Sequence, residues 1–356
     1  MPVVTAEQGI TIHTARGVTL HDFMPEHYQD AKWTRDQRDA SRCDLVLPPQ
    51  EGLARLPEIV PWLHHVTVYD MEREVALWSG PIQKATENRA GLTLAVKDHA
   101  AYLYRTRDPI TKDWDGADAS WIGGELWRAM LEHHGVNSRV ITRDDPEGDR
   151  FDYSVVSDEA MLDQTIGALV NLGLRWTVVS GTAILGPVSL EPTATLGADD
   201  FLGDGISLVR DGSAVYNDVL VRGADVHHRE TVGFHGQSLQ TIHNVDDMFG
   251  VSNVKRAAQQ FVRHTGTIRT RLELAANTQL HPDAPVTIDQ LMPSARFIIE
   301  DHGIRQLMEL TGVEVIRRPG AATVAVSMES VEEDIELLKK RAGASDPTQT
   351  LGGQPL

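Results

Sequence analysis

One cysteine, Cys43, stands in 356 residues, so no internal disulfide can form and the fold must rest on its buried core. Long apolar runs are missing as well: none approaches the length that spans a bilayer. The start, Met1 to Gln8, lacks the basic stretch of a secretory signal, which predicts a chain that is cytosolic when made. Positive charge is scarce: 33 Lys and Arg face 51 Asp and Glu, a formal charge of −18. Such a surface is poorly suited to gripping nucleic acid, which is bound by neutralising phosphates with cations. It suits an anionic membrane no better. A negative wall would still let DNA slide past without sticking.

Catalytic signatures are missing too. There is no Walker lysine, and no GxGxxG follows a strand pattern. Gly236-Gln-Ser238-Leu-Gln240 lacks the final glycine of a nucleophile elbow. Asp113-x-Asp115 begins like a calcium loop, but Ala117 and Gly124 occupy its fifth and twelfth positions. Asp144 to Asp149 reads as a solvated turn. Asp199, Asp200 and Asp204 are carboxylates that any acidic chain brings together by chance. Histidines come in three adjacent pairs, His64-His65, His133-His134 and His227-His228. Neighbours on a strand point to opposite faces, so a pair rarely gives two ligands to one metal. His228, Glu230 and His235 are the one conceivable metal cluster, without HExxH spacing or a Cys partner. The sequence therefore assigns no catalytic residue, no cofactor and no metal. Cys43 lies in a strand-like run and reads as a small buried hydrophobe. Trp33, Trp62, Trp78, Trp121, Trp127 and Trp176 sit in periodic segments and are expected in the core, with Trp114 the exposed one.

What is present is an ordinary globular composition, 41% hydrophobic and 24% charged, in a chain long enough for two or three domains. Strand alternation fills the first hundred residues: Ile10 and Ile12; Cys43, Leu45 and Leu47 before Pro48-Pro49; Val66 and Val68, extended by Met71; Val75, Leu77 and Trp78 up to a break at Gly80-Pro81; then Leu92, Leu94 and Val96. Helical spacing follows. One helix is capped at Ser120, buries Ile122, Leu126, Trp127, Met130 and Leu131, and ends at Gly135. A second starts near Ser157-Asp158, buries Leu162, Ile166 and Leu169, and ends at Gly173. A hairpin turns at Ser180-Gly181. Strands return from about 205 and are interrupted by a helix capped near Ser252 with Val254, Ala257, Ala258, Phe261 and Val262 inward. Later strand candidates include Val286 with Ile288, Phe297 with Ile299, Val313 with Val315, and Val324 with Val326. Ser330 and Glu333 suggest a capping box for a C-terminal helix, followed by a polar tail.

Three motifs carry a resemblance. Leu77-Trp78-x-Gly80-Pro81-Ile82, followed by Asp98-x-x-Ala101-Tyr102-Leu103 and an arginine, resembles minor tail proteins of long-tailed actinobacterial phages. Trp33-Thr-Arg35 with Asp39-x-Ser41-Arg42-Cys43 resembles that family's early strand pair, and Pro285 to Pro293 the strand entering its later barrel. The resemblance implies a tail-tip hub: mainly β, with two small β-barrels (1–105 and 201–328), an α+β insert (106–200) and a C-terminal helix and tail (329–356). It also implies a non-enzymatic homotrimeric ring in the virion, assembled in the host cytoplasm. Its neighbours there would be tube-end, tape-measure and other tip proteins, with DNA passing through the lumen. A cell-wall hydrolase would need a zinc or nucleophile motif, and a host-glycan-binding module a row of exposed aromatics.

Overall fold

The structure is a computed structural model that describes residues 2–28, 30–48, 59–89, 91–146, 148–203, 205–223, 226–244 and 251–331. In chain order come β1 (Gln8–Thr14), β2 (Thr19–Phe23), β3 (Asp30–Asp36), β4 (Arg42–Leu47), β5 (His64–Asp70), β6 (Val75–Asn88) and β7 (Gly91–Lys97). A 3-10 turn, His99–Arg105, leads to β8 (Lys112–Asp118), α1 (Ala119–His134), β9 (Val140–Thr142), β10 (Arg150–Val155), α2 (Leu162–Asn171), β11 (Trp176–Val179), β12 (Thr182–Leu185) and β13 (Pro192–Gly197). Then follow β14 (Ile206–Asp211), β15 (Asp218–Arg222), β16 (His227–Thr231), β17 (Gln240–Asn244), α3 (Val251–Thr265) and β18 (Arg269–Leu274). The last strands are β19 (Thr278–Gln279), β20 (Arg296–Asp301), β21 (Ile304–Arg318) and β22 (Ala321–Ser330). The protein is mainly β, as expected, and no closed barrel is found among the described residues. No helix there is long and apolar enough to cross a membrane.

Two compact units emerge, one of residues 1–206 with 274–329 and one built on 207–273. The sheet of the first unit joins early and late strands. Twelve strands share that sheet, in the order β13-β20-β21-β3-β4-β7-β6-β5-β1-β2, with β22 also on β21 and β19 on β22. The join is antiparallel, Val313 opposite Arg35 and Val315 opposite Trp33.

β6 does not break at Gly80-Pro81. Its first half pairs with β5, ending with Pro81 opposite His65, and its second half pairs with β7 from Ile82 onward. Pro81 has no N–H to give, and it sits where the strand exchanges partners, so the missing donor costs the ladder little. Gly80 is required for closeness: a Cβ there would stand 2.0 Å from the Lys97 carbonyl oxygen and 2.6 Å from Asp98 Cα.

Between β7 and β13 lies the α+β segment. β12 pairs in parallel with β9 and antiparallel with β11, across the hairpin at Ser180 and Gly181, whose φ values of 52° and 78° suit a two-residue turn. Ile122, Leu126, Trp127 and Met130 of α1 and Leu162, Ile166 and Leu169 of α2 pack in one cluster with Trp176 and Leu185. The caps differ from expectation. Asp118, not Ser120, caps α1 by accepting from the Ser120 N–H at 2.8 Å, and α2 starts at Leu162 without a side-chain cap.

In the second unit β15 lies between antiparallel β16 and parallel β17, and Val219 and Val221 pack against Val254, Ala258 and Phe261 of α3. The α3 faces are as its spacing foretold; the side chain of Ser252 and the C-terminal helix expected beyond Ser330 lie outside the described residues. Val286 and Ile288 are buried but not in a strand. Their segment, bounded by Pro285 and Pro293, turns its carbonyls elsewhere.

Candidate functional site

Those carbonyls lead to the centre of the first unit. Alternation along β3 puts Trp33 and Arg35 on one face, and both are buried, Arg35 with 1% of its surface exposed. The Arg35 guanidinium donates to the Ile288 and Leu291 carbonyls, at 2.7 and 3.2 Å, and to the Leu77 carbonyl at 3.0 Å. Three separated stretches, around residues 35, 77 and 288, are thereby tied to one cation. No carboxylate among the described residues pairs with Arg35, and burial lowers its pKa to about 10. Trp33 Nε1 donates to Gln8 Oε1 at 3.1 Å, joining β1 to the same face.

A second buried group ties the remaining motif residues. Asp98 caps the 3-10 turn, its carboxylate accepting from Ala100 N–H at 2.9 Å and from Ser41 N–H at 3.0 Å. The Asp98 N–H returns a bond to the Ser41 carbonyl. Burial pushes the carboxyl up to about 7, against the pull of those N–H groups. A third, unforeseen from sequence, is Arg317 of β21. It stacks 4.2 Å from the Tyr28 ring and donates to the carbonyls of Pro25 at 2.8 Å and Ala6 at 3.1 Å. Nothing local distinguishes Arg317 from Arg318 beside it except strand parity, which turns 317 inward and 318 outward.

The other candidates take no part in these bonds among the described residues. His228 and Glu230 alternate to one side of β16 and meet at 3.2 Å, while His235 occupies the following turn. No group of three His, Cys, Asp or Glu able to hold a metal occurs among the described residues. Ser238 donates its hydroxyl to Asp218, which also binds Arg229 and Gln240. Asp113 and Asp115 lie in β8, and Asp113 accepts from Ser154 at 2.6 Å. Cys43 is buried and free, its thiol pushed well up by burial. The exposed tryptophan is Trp121, at 46%, rather than Trp114, which is half-buried and donates to Glu125. On α1, Trp121 shares its face with Glu125 and Arg128, away from Ile122 and Leu126.

His65 and His99, which pair spacing alone could not single out, are buried close together with ring centres 5.5 Å apart. A groove of about 400 Å³ on β3, β4 and β21 carries mixed charges, with Lys32 bonded to Glu314 at 2.8 Å.

No protein-family model matches the sequence, and neither does any curated protein. Solved structures do share the fold. The 43 kDa tail protein of prophage MuSo2 from Shewanella oneidensis aligns with a TM-score of 0.56 at 11% identity, over 90% of this chain and 98% of its own. A tail protein from Neisseria meningitidis MC58 gives 0.55 at 15% identity, over 91% and 97%. The prophage tail protein gp18 from Listeria monocytogenes EGD-e gives 0.50 at 8%, over 94% and 98%. At these identities the likeness is one of fold.

Proposed function

We propose that the chain is a structural, non-enzymatic protein of a phage tail tip, from a long-tailed actinobacterial phage. In this reading three copies close a hub ring that joins the tail tube to the tip and surrounds the DNA exit path. Barrel-like halves are carried by 1–105 and by 201–328, the latter with the compact 207–273 unit set within it. Its neighbours are the tube-end, tape-measure and other tip proteins, and its place is the virion, after synthesis in the host cytoplasm. The observation that carries the reading is fold likeness to tail proteins from end to end, over nine tenths of this chain and nearly all of each partner in the comparison. The chemistry agrees: Arg35, Asp98 and Arg317 spend their hydrogen bonds on backbone groups that hold the sheet together. A charge of −18 suits a channel wall that DNA passes without adhering.

The test is mass and shape of the purified full chain by light scattering and negative-stain imaging. A three-chain ring with a central hole is expected. A monomer that releases fragments from cell wall would overturn the structural reading.

A further inference from the structure

A cavity of about 210 Å³ in the first unit is lined by His13, Arg16, His65, His99, Ser138 and Arg139, among others, and by no carboxylate. That is unusual in a chain with 51 acidic residues. Arg16 and Arg139 are exposed, and neither guanidinium has an ion pair or hydrogen bond among the described residues. Three imidazoles line the cavity with them, His13 to His65 at 5.8 Å and His65 to His99 at 5.5 Å between ring centres.

Their proton positions follow from their partners. A carbonyl only accepts, so His13 Nδ1–H donates to Thr14 O at 2.8 Å, and its Nε2 accepts from the Thr67 hydroxyl at 2.8 Å. His99 Nδ1–H likewise donates to Gly181 O at 2.9 Å. His99 Nε2 is then a bare lone pair, buried and without a partner. A buried polar atom left unpaired is costly. As a lone pair it can accept from a donor, but a fully ionised oxyanion has no proton to give, so this nitrogen can partner such an anion only if it is itself protonated.

We propose that this cavity is a proton-coupled oxyanion site, in which Arg16 and Arg139 hold a phosphate- or sulfate-class anion and His99 takes up one proton from water at Nε2 to donate to it. Guanidinium forks match tetrahedral oxyanions. Without an anion, burial and then the neighbouring His13 keep His99 neutral, at about 4. Burial, then His99, His13 and His64, hold His65 at about 3. The Tyr102 hydroxyl meets His65 Nε2 at 3.2 Å. Asp98, though adjacent in sequence, is bonded to Ser41 and Ala100 and does not line the cavity. An anion supplies the missing negative charge, so its binding and the protonation of His99 favour each other.

Sulfate is the probe for pH dependence, because its own charge is constant across the range. Calorimetry on the full chain should show tighter binding at pH 6 than at 7.5, by up to about tenfold per pH unit for one coupled proton. The heat should vary with buffer ionisation enthalpy in proportion to that proton. The double variant Arg16→Ala, Arg139→Ala alters only exposed side chains and should keep native tryptophan fluorescence while losing at least about tenfold in affinity. Preference for inorganic phosphate over dimethyl phosphate would mark free phosphate as the occupant, and the reverse a phosphodiester; both uphold the site. No sulfate binding by the folded chain at pH 6, binding without proton uptake, or equal binding by the double variant overturns it. None of these outcomes depends on ring assembly.

Discussion

Replacing Arg35 with methionine removes the cation that joins three distant stretches while keeping most of the buried volume. Three carbonyls, of Ile288, Leu291 and Leu77, lose their donor. Each such buried acceptor left unpaired costs about 1–3 kcal/mol. The stacking of the guanidinium over Trp33, 5.3 Å from the ring centre, goes as well. Against this, the variant no longer buries a charge, a relief of several kcal/mol. The carbonyls cannot turn to water, because Ile288 and Leu291 are held between two prolines under the sheet. We therefore expect a net loss of about 3 kcal/mol for Arg35→Met. Urea titration followed by tryptophan fluorescence is the assay. All seven tryptophans lie in the first unit, so the second unit is silent in this signal. The midpoint should fall by about 1 M urea with little change in slope. A variant as stable as the parent would refute the idea that these bonds outweigh the buried charge.

Acidification should loosen the same unit. His65 and His99 sit at about 3 and about 4 in the fold, below the ~6.5 of an unfolded chain. The unfolded state binds more protons, so their contribution is complete above ~6.5 and is lost as pH falls toward 4. Asp98, at about 7 in the fold, works in the opposite direction over that range. For these three groups two protons against one take away about 1.4 kcal/mol per pH unit between ~6 and ~4.5, so His99→Gln should make the fall of the urea midpoint shallower by about that amount, and an unchanged slope would contradict this. Gly80→Ala forces a Cβ against the backbone at Lys97 and Asp98, so we expect at least about 3 kcal/mol of destabilisation in the same assay. Arg317→Met should cost about 2 kcal/mol through the Pro25 and Ala6 carbonyls; Arg318→Met, on the outward face, should leave the midpoint unchanged. Cys43 should resist thiol reagents in the native protein and react once urea unfolds it, and fast native labelling would show it exposed.

Much of the local structure was legible because burial follows period. The inward faces of α1, α2 and α3 were readable from spacing of three and four, and the hairpin from Ser180-Gly181. Misreadings arose where one local sign had two causes. Pro81 reads as a stop, yet here it marks a change of pairing partner within β6. Val286 and Ile288 alternate like a strand, but their carbonyls serve Arg35 and leave no ladder. Trp121 occupies a periodic segment but falls on the polar side of its helix. The buried centre was half visible. The motifs around Trp33, Leu77, Asp98 and Pro285 are legible as separate strings, while the guanidinium and carboxylate that join them are contacts across as many as 256 residues. Arg317 and the His65–His99 pair left no local sign, since only the completed sheet brings their partners within reach.

Gold labelling of intact virions with antibody against this chain tests its proposed place most directly. Label confined to the distal end of the tail, at the junction of tube and tip, is the predicted result. Label along the tube or on the head, or virions that carry none of the chain, would contradict a tail-tip hub.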